Sequence, residues 1–271
     1  WVSSVIFSAA VLVFLPVASI LVSTVKRGVP GLHASLFTKT MFSASYLDPI
    51  NKGGLLHAIV GTLYLILITV LISVPAGVLT ALYLTEIKGP GSKFIQFTVQ
   101  AMSGVPSVVA GLFIFAAVII ATPIKASGIA GAFALSILMI PTVTRTSQEV
   151  LLLVPNDLRE AGLAMGATQW KTVSTIVIPA ARNGLLTATI LGVARIAGET
   201  APLIFTIGGS DRLNWNPFVN YQGALPFYVW KGLLLGTPES IQRAWTGILV
   251  LLILVLSLFL IARLFGSRKV S

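Results

Sequence analysis

The sequence predicts an all-α polytopic membrane protein with six transmembrane helices, and three observations carry that expectation. Of its 271 residues, 56% are apolar and 10% charged, against roughly 45–50% and about 25% in soluble domains. Mean hydropathy is +0.96. Apolar runs near the length that crosses a hydrocarbon core, about 20 residues, recur six times along the chain. So much apolar surface cannot be hidden in one water-soluble core of this size. A soluble enzyme is excluded, and lipid is the main solvent.

The first span is Trp1–Val25, which is too long for a cleavable signal and lacks a basic leader. Leu55–Thr85 and Phe94–Thr122 are the second and third. Both exceed the minimum length, which permits tilt or a short interfacial end. Gly128–Thr144 is a shorter fourth span, Asn183–Ile207 a fifth that carries charge, and Ala244–Ala262 the sixth. Pro75, Pro106 and Pro141 lie inside apolar runs, where each is expected to kink its helix and free a carbonyl. No repeat of 20–50 residues and no low-complexity tract divides the chain, so residues 1–271 form one membrane domain.

Composition excludes several chemistries. With no cysteine there is no disulfide framework, thiolate zinc site or cysteine nucleophile. His33 and His57 are too few and too far apart for a metal site. The net charge of +10 is spread singly between apolar runs without a basic-aromatic patch, so nucleic acid is not an expected partner. Charge also leaves orientation open. With the N-terminus inside, the inner segments hold Lys88, Lys93, Arg145, Arg159, Lys171, Arg182, Arg263, Arg268 and Lys269. The outer segments hold nearly as many, too thin a margin for the positive-inside rule.

The longest charged segment, Arg145–Arg182, reads as two short helices around a sharp bend. Asp157 after Pro155 is expected to cap the first, with Glu160 at its third position. Leu158, Ala161, Ala164 and Met165 share or flank one face, and Gly166 is suited to the left-handed residue that ends such a helix. Thr168 is placed to cap a second helix with apolar Trp170, Val173, Ile176 and Val177, which Pro179 limits or kinks into the next span. Eight helical residues span about 12 Å, the size of a plug for a groove on another protein.

Glu160-Ala161-Gly162-x-x-x-Gly166, followed after nine residues by Ile176-x-Ile178-Pro179, resembles the EAA loop of binding-protein-dependent ABC importer permeases. Gly162 and Ile178 depart from that pattern, which has alanine and leucine there, and Gly162 is expected to loosen the helix by roughly 0.5–1 kcal/mol. The resemblance implies that residues 150–182 are a cytoplasmic coupling loop. It implies that Glu160, Ala161, Gly162, Gly166, Ile176 and Pro179 engage a cleft on an ATPase subunit. The chain has no G-x-x-x-x-G-K-[ST] motif. ATP and Mg²⁺ are therefore expected on that partner, with no cofactor on this chain and no catalytic residue in it.

Arg195 lies near the middle of the fifth predicted span, about 18 Å from either end. Glu199, four residues on, is expected on the same face and within reach. A guanidinium at the bilayer centre costs about 2.5–3.5 kcal/mol to insert. One reading of the pair is a salt bridge that fixes helix packing. The other is a cation and anion lining a solute path, where an oxyanion competes for the planar guanidinium fork. Arg145, four residues after Pro141 at the end of the fourth span, reads from its position alone as a snorkelling arginine at the cytoplasmic interface. Thr142, Thr144, Thr146 and Thr200 add hydroxyls nearby, which can bond an oxyanion or a helix carbonyl.

The stretches Pro141–Thr146, Val154–Ala161 and Arg195–Thr206 are similar to the membrane subunits of phosphate importers, and the likeness runs over essentially the whole chain. It implies that Arg145 and Arg195 line a phosphate path with Glu199 as partner and Thr200 beside it. It implies a permease of the cytoplasmic membrane with a homologous permease, two ATPase subunits and a phosphate-binding protein, which would meet Lys26–Gly53 and Gly208–Ser240. Trp215, Phe218, Tyr221, Phe227, Tyr228 and Trp230 are expected to form an aromatic belt at the interface. An importer of another oxyanion, and a secondary anion carrier or channel, remain the alternatives.

Overall fold

The computed structural model describes residues 1–266; Arg268 and Lys269, counted above, lie outside the described residues. The helices are α1 (Val2–Gly28), α2 (Leu56–Leu82), α3 (Ser92–Ser103), α4 (Ser107–Ile114), α5 (Gly128–Leu152), α6 (Asn156–Ala164), α7 (Gln169–Thr172), α8 (Ile178–Ala197), α9 (Ala201–Thr206), α10 (Leu225–Leu235) and α11 (Pro238–Gly266). Among the described residues, five continuous helical stretches are long and apolar enough to cross a membrane, and the bent pair α3 and α4 is either a sixth, broken span or a re-entrant loop.

α5 is the central helix. Of its most apolar window 67% is buried, against none of that of α1, which packs mainly along α11. α2 runs parallel to α5: Leu65 lies against Gly131, Gly77 against Val143, and Ala81 and Leu82 join Leu151 and Val154. α8 runs antiparallel to it, with Gly192 facing Met139 and Val143, and Gly184 facing Val150. Lipid tails are as apolar as leucine, so close approach between small residues holds such helices together. Thr62, Thr80 and Ser136 turn their hydroxyls onto carbonyls one turn back at 2.7–2.8 Å, which removes the cost of unpaired donors in an apolar setting.

The structure corrects several expected boundaries. Phe94–Thr122 is not one helix, because α3 and α4 meet at 106° across Gly104-Val105-Pro106. Pro106 lacks the N–H a continuous helix would need there. Pro75 and Pro141, by contrast, lie inside unbroken α2 and α5. The fourth span does not stop at Thr144; α5 continues two turns to Leu152. The fifth does not begin at Asn183, since the helix starts at Gln169 and passes through Pro179. A widened π-turn over Val173–Val177 precedes that proline, which then sits in the first regular turn of α8, where it is tolerated.

At the end of the bundle remote from α6, the loops 26–53 and 208–240 meet in one cap. Arg243, only 1% exposed, donates from Nη2 to the carbonyls of Asp48 (3.0 Å), Pro49 (2.8 Å) and Lys52 (2.9 Å). Asp211 accepts from Lys231 Nζ at 2.8 Å and from Tyr46 at 3.4 Å, and lies 3.8 Å from His57 Nε2. Burial first, and then the Asp211 charge, push the Tyr46 hydroxyl pKa up. Tyr228 is not part of an aromatic belt: it is buried against Tyr46 with ring centroids 5.1 Å apart. Trp215, Phe218 and Tyr221 are exposed.

Candidate functional site

Two surfaces carry the residues singled out by the sequence. The first is the turn at α6. Asp157 does not cap it: Pro155 is the N-cap residue, no side chain closes the end, and Asp157 lies in the first turn. There its charge favours the helix dipole instead. The Asn156 amide oxygen is taken by Arg159 Nη1 at 3.2 Å. The C-terminal end matches the expectation. Gly166 has φ +80°, its N–H donates to Leu163 and that of Ala167 to Gly162, the paired bonds of a Schellman motif. Thr168 then accepts from Lys171 N at 3.3 Å and caps α7.

Gly162 does more than loosen the helix. It is buried, and a Cβ there would lie 2.8 Å from Ile176 Cδ1 and Thr172 Cγ2. Its lack of a side chain lets α6 dock on the π-turn that leads into α8, which is how Gly162 and Ile176 come together. Glu160 and Ala161 point outward, among exposed Leu153, Leu163, Met165 and Trp170. A short amphipathic helix with apolar side chains in solvent is a surface made for a partner.

The second surface is a polar stripe along the bundle. Asn183, Thr187, Leu191 and Arg195 follow one another at four-residue steps on α8, and all four are exposed. Opposite them on α5, Val143 and Met139 face α8 and Gln148 faces α3, where its amide nitrogen is 3.1 Å from Gln96 Oε1. Arg145 is exposed on the arc between those two contacts. The antiparallel register sets Arg195 level with Leu138 and Met139, about 15 Å from the start of α5, and Arg145 level with Ala188 and Thr189. The two guanidinium-bearing positions are thus about 10 Å apart along the axis. Arg195 sits at mid-bundle depth although its own helix ends two residues later.

The expected Arg195–Glu199 pair does not form. α8 stops at Ala197, Gly198 ends it, and Glu199 lies in the break before α9 with its N–H on the Ile196 carbonyl at 3.2 Å. Outside the helix, a four-residue spacing no longer places two side chains on one face. Neither side chain makes an ion pair within 4 Å among the described residues. Glu199 and Thr200 are half-buried, and Thr200 is the N-cap residue of α9 without a side-chain bond. Non-helical backbone at such depth is tolerated where it is covered by protein or borders a water-filled cavity.

Gln96, Gln148, Asn183 and Thr187 stand outside every motif of the sequence, and polar residues four apart inside an apolar span are the only local signal for the last two. The ion pair of Arg159 with Glu86 joins segments 73 residues apart and has no local signal.

Comparison with known proteins decides what these surfaces belong to. Residues 73–271 match the family model described as binding-protein-dependent transport system inner membrane component. The chain belongs to that family. A phosphate transport system permease protein PstA of Haemophilus influenzae is 40% identical over 262 residues, covering 92% of this chain and 87% of the relative. PstA of Pasteurella multocida is 38% identical over 262 residues, covering 92% and 88%. PstA 1 of Mycobacterium tuberculosis H37Rv is 39% identical over 211 residues, covering 78% and 68%. Among solved structures, a bacterial ABC transporter for alginate import aligns over 98% of this chain and 93% of its own, with TM-score 0.61 and 16% identity. An inward-facing MetNI methionine ABC transporter aligns over 78% and 89%, with TM-score 0.54 and 20% identity. The fold is therefore that of an ABC importer permease, and the chain is a multi-pass membrane protein and a permease component.

Proposed function

We propose that this chain is the permease subunit that carries inorganic phosphate through an ATP-driven importer of the cytoplasmic membrane. The observation that carries the reading is the exposed stripe of α8, with Arg195 at mid-bundle depth and Arg145 about 10 Å below it. An arginine facing lipid at that depth is costly. One facing a homologous permease across a wet path offers a bidentate fork to a phosphate oxygen pair. Thr187, Asn183 and Gln148 extend a polar wall towards the α6 end of the bundle, so an anion leaving Arg195 passes Arg145 next. Glu199 and Thr200 border the same level from the break after α8.

The α6 turn supplies the drive. With Glu160 and Ala161 outward, α6 enters the cleft of an ATPase subunit; Gly162 and Ile176 hold it to α8, Gly166 sets its bend, and Pro179 starts the regular span. Two ATPase subunits hold the ATP and Mg²⁺ and perform the hydrolysis; this chain holds neither. ATP-driven closure of those subunits moves α6 inward and opens the path at the opposite end, where the cap of loops 26–53 and 208–240 receives phosphate from its binding protein. Hydrolysis returns the path to the α6 side.

Purification from native membranes in mild detergent, with mass spectrometry of what accompanies the chain, tests the assembly. A second permease and an ATPase are expected. A chain that purifies alone or only with itself would move the reading to a carrier or channel.

A further inference from the structure

We propose that Arg159 and Glu86 are the rigid link through which movement of α6 reaches the central helices, a positioning pair for energy coupling; this rests on the reading of α6 as the ATPase-contacting helix. Arg159 Nε and Nη2 bind Glu86 Oε2 and Oε1 at 3.0 and 2.9 Å. The second hydrogen of Nη2 goes to the Leu151 carbonyl at 2.8 Å, and Nη1 donates to the Val154 carbonyl at 2.6 Å and to Asn156 Oδ1 at 3.2 Å. All five N–H donors of the guanidinium are used. The Glu86 side chain is only 6% exposed, and the Glu86 carbonyl accepts from Gln169 Nε2. One side chain on α6 therefore ties together the end of α5, the end of α2 and, through Glu86, the start of α7.

The surroundings make this contact more than packing. A cleft of about 420 Å³ lies beside the pair, lined by Lys88, Leu152, Leu163 and Thr172 among others. Beyond its short connecting turns, α6 meets the bundle through Gly162 on Thr172 and Ile176, which leads to α8, and through Arg159, which reaches Glu86 and hence α2 as well as the Leu151 carbonyl at the end of α5. Glu86 lies in a π-turn, Tyr83–Ile87, that ends at Lys88 with φ +50°. That irregular turn is continuous with α2, whose apolar face runs along α5. A push on α6 is thereby delivered to α2 and α8 together, on both flanks of α5. Lysine cannot replace Arg159, because three donors on a point charge cannot reach two carboxylate oxygens and two carbonyls in one plane.

The test uses the whole complex in proteoliposomes with phosphate-loaded binding protein and ATP. Arg159→Lys, Arg159→Gln and Glu86→Gln are each expected to lower phosphate moved per ATP hydrolysed at least tenfold, while the ATPase subunits still co-purify and hydrolyse ATP. The chain has no native cysteine. Glu86→Cys with Arg159→Cys, bridged by a short bis-thiol-reactive reagent, is therefore expected to regain coupling that the unbridged pair lacks; the cysteine-free chain treated alike is the control. Unchanged stoichiometry in Arg159→Lys and Arg159→Gln would overturn the link. So would parallel loss of ATPase subunits and transport, or a bridged pair that stays uncoupled. If wild-type uptake itself needs no ATP, the coupling-helix reading fails and takes the link with it, an outcome separate from a variant that couples normally.

Discussion

Replacing Gly166 isolates the bend after α6 from every other feature of the chain. Its φ of +80° is in the left-handed region, yet no atom lies within 4 Å of where a Cβ would stand. Substitution thus adds backbone strain and no collision. Left-handed geometry costs an L-residue about 1–2 kcal/mol, with asparagine penalised least. Gly166→Ala should therefore disfavour the closed Schellman turn about 5–30-fold relative to its open alternatives. Gly166→Asn should do so less, and Gly166→Val more, because a β-branched side chain is stiffer. The assay is stimulation of ATPase activity by loaded binding protein, with uptake measured in the same proteoliposomes. Coupling should fall in the order Gly, Asn, Ala, Val while the amount of chain in the membrane stays constant. A Gly166→Val complex stimulated like wild type would refute the role of the bend, and equal losses for Asn and Val would refute the strain argument.

Three other outcomes follow from the same geometry. Arg195→Gln should abolish phosphate uptake while the complex still assembles, as judged by co-purification; normal uptake would remove Arg195 from the path. Gly162→Ala should weaken the docking of α6 only in part, since its gain in helix propensity of roughly 0.5–1 kcal/mol offsets some of the displacement of Ile176 Cδ1 and Thr172 Cγ2, each 2.8 Å from the added Cβ, whereas Gly162→Leu should lift α6 off both and uncouple ATPase activity. Arg243→Met should destabilise the cap by about 1–3 kcal/mol for each of the two carbonyls, of Asp48 and Lys52, left without a donor, the Pro49 carbonyl keeping the Lys52 N–H at 2.9 Å; the loss is read as a lower melting temperature in detergent and faster proteolysis between residues 39 and 53.

What the sequence made legible was local. Gly166, Thr168 and the alternation of apolar and charged stretches are signals within a few residues, and the bend, the α7 cap and the membrane fold follow from them. The ends of helices misled where two signals conflicted. Arg182 and Pro179 looked like the edge of a span, but a π-turn absorbs the proline and the charged residues ride on the helix surface. Gly198 and Pro202 flank Glu199 and mark the break, and the four-residue spacing to Arg195 has its usual meaning only inside a continuous helix. Long-range contacts left no local trace. Arg159 with Glu86, and Asp211 with Tyr46, His57 and Lys231, are brought together only by the packing of whole helices. Gly162 is a subtler case: as a propensity it is a defect, and only its distance to Ile176 reveals a docking contact.

ATP dependence of phosphate uptake is the most direct test of the account. Proteoliposomes holding this chain with its co-purified partners should accumulate labelled phosphate only when ATP reaches the ATPase side and loaded binding protein the other, and collapse of ion gradients should leave the rate unchanged. Uptake that persists without ATP and follows a proton or sodium gradient would contradict it.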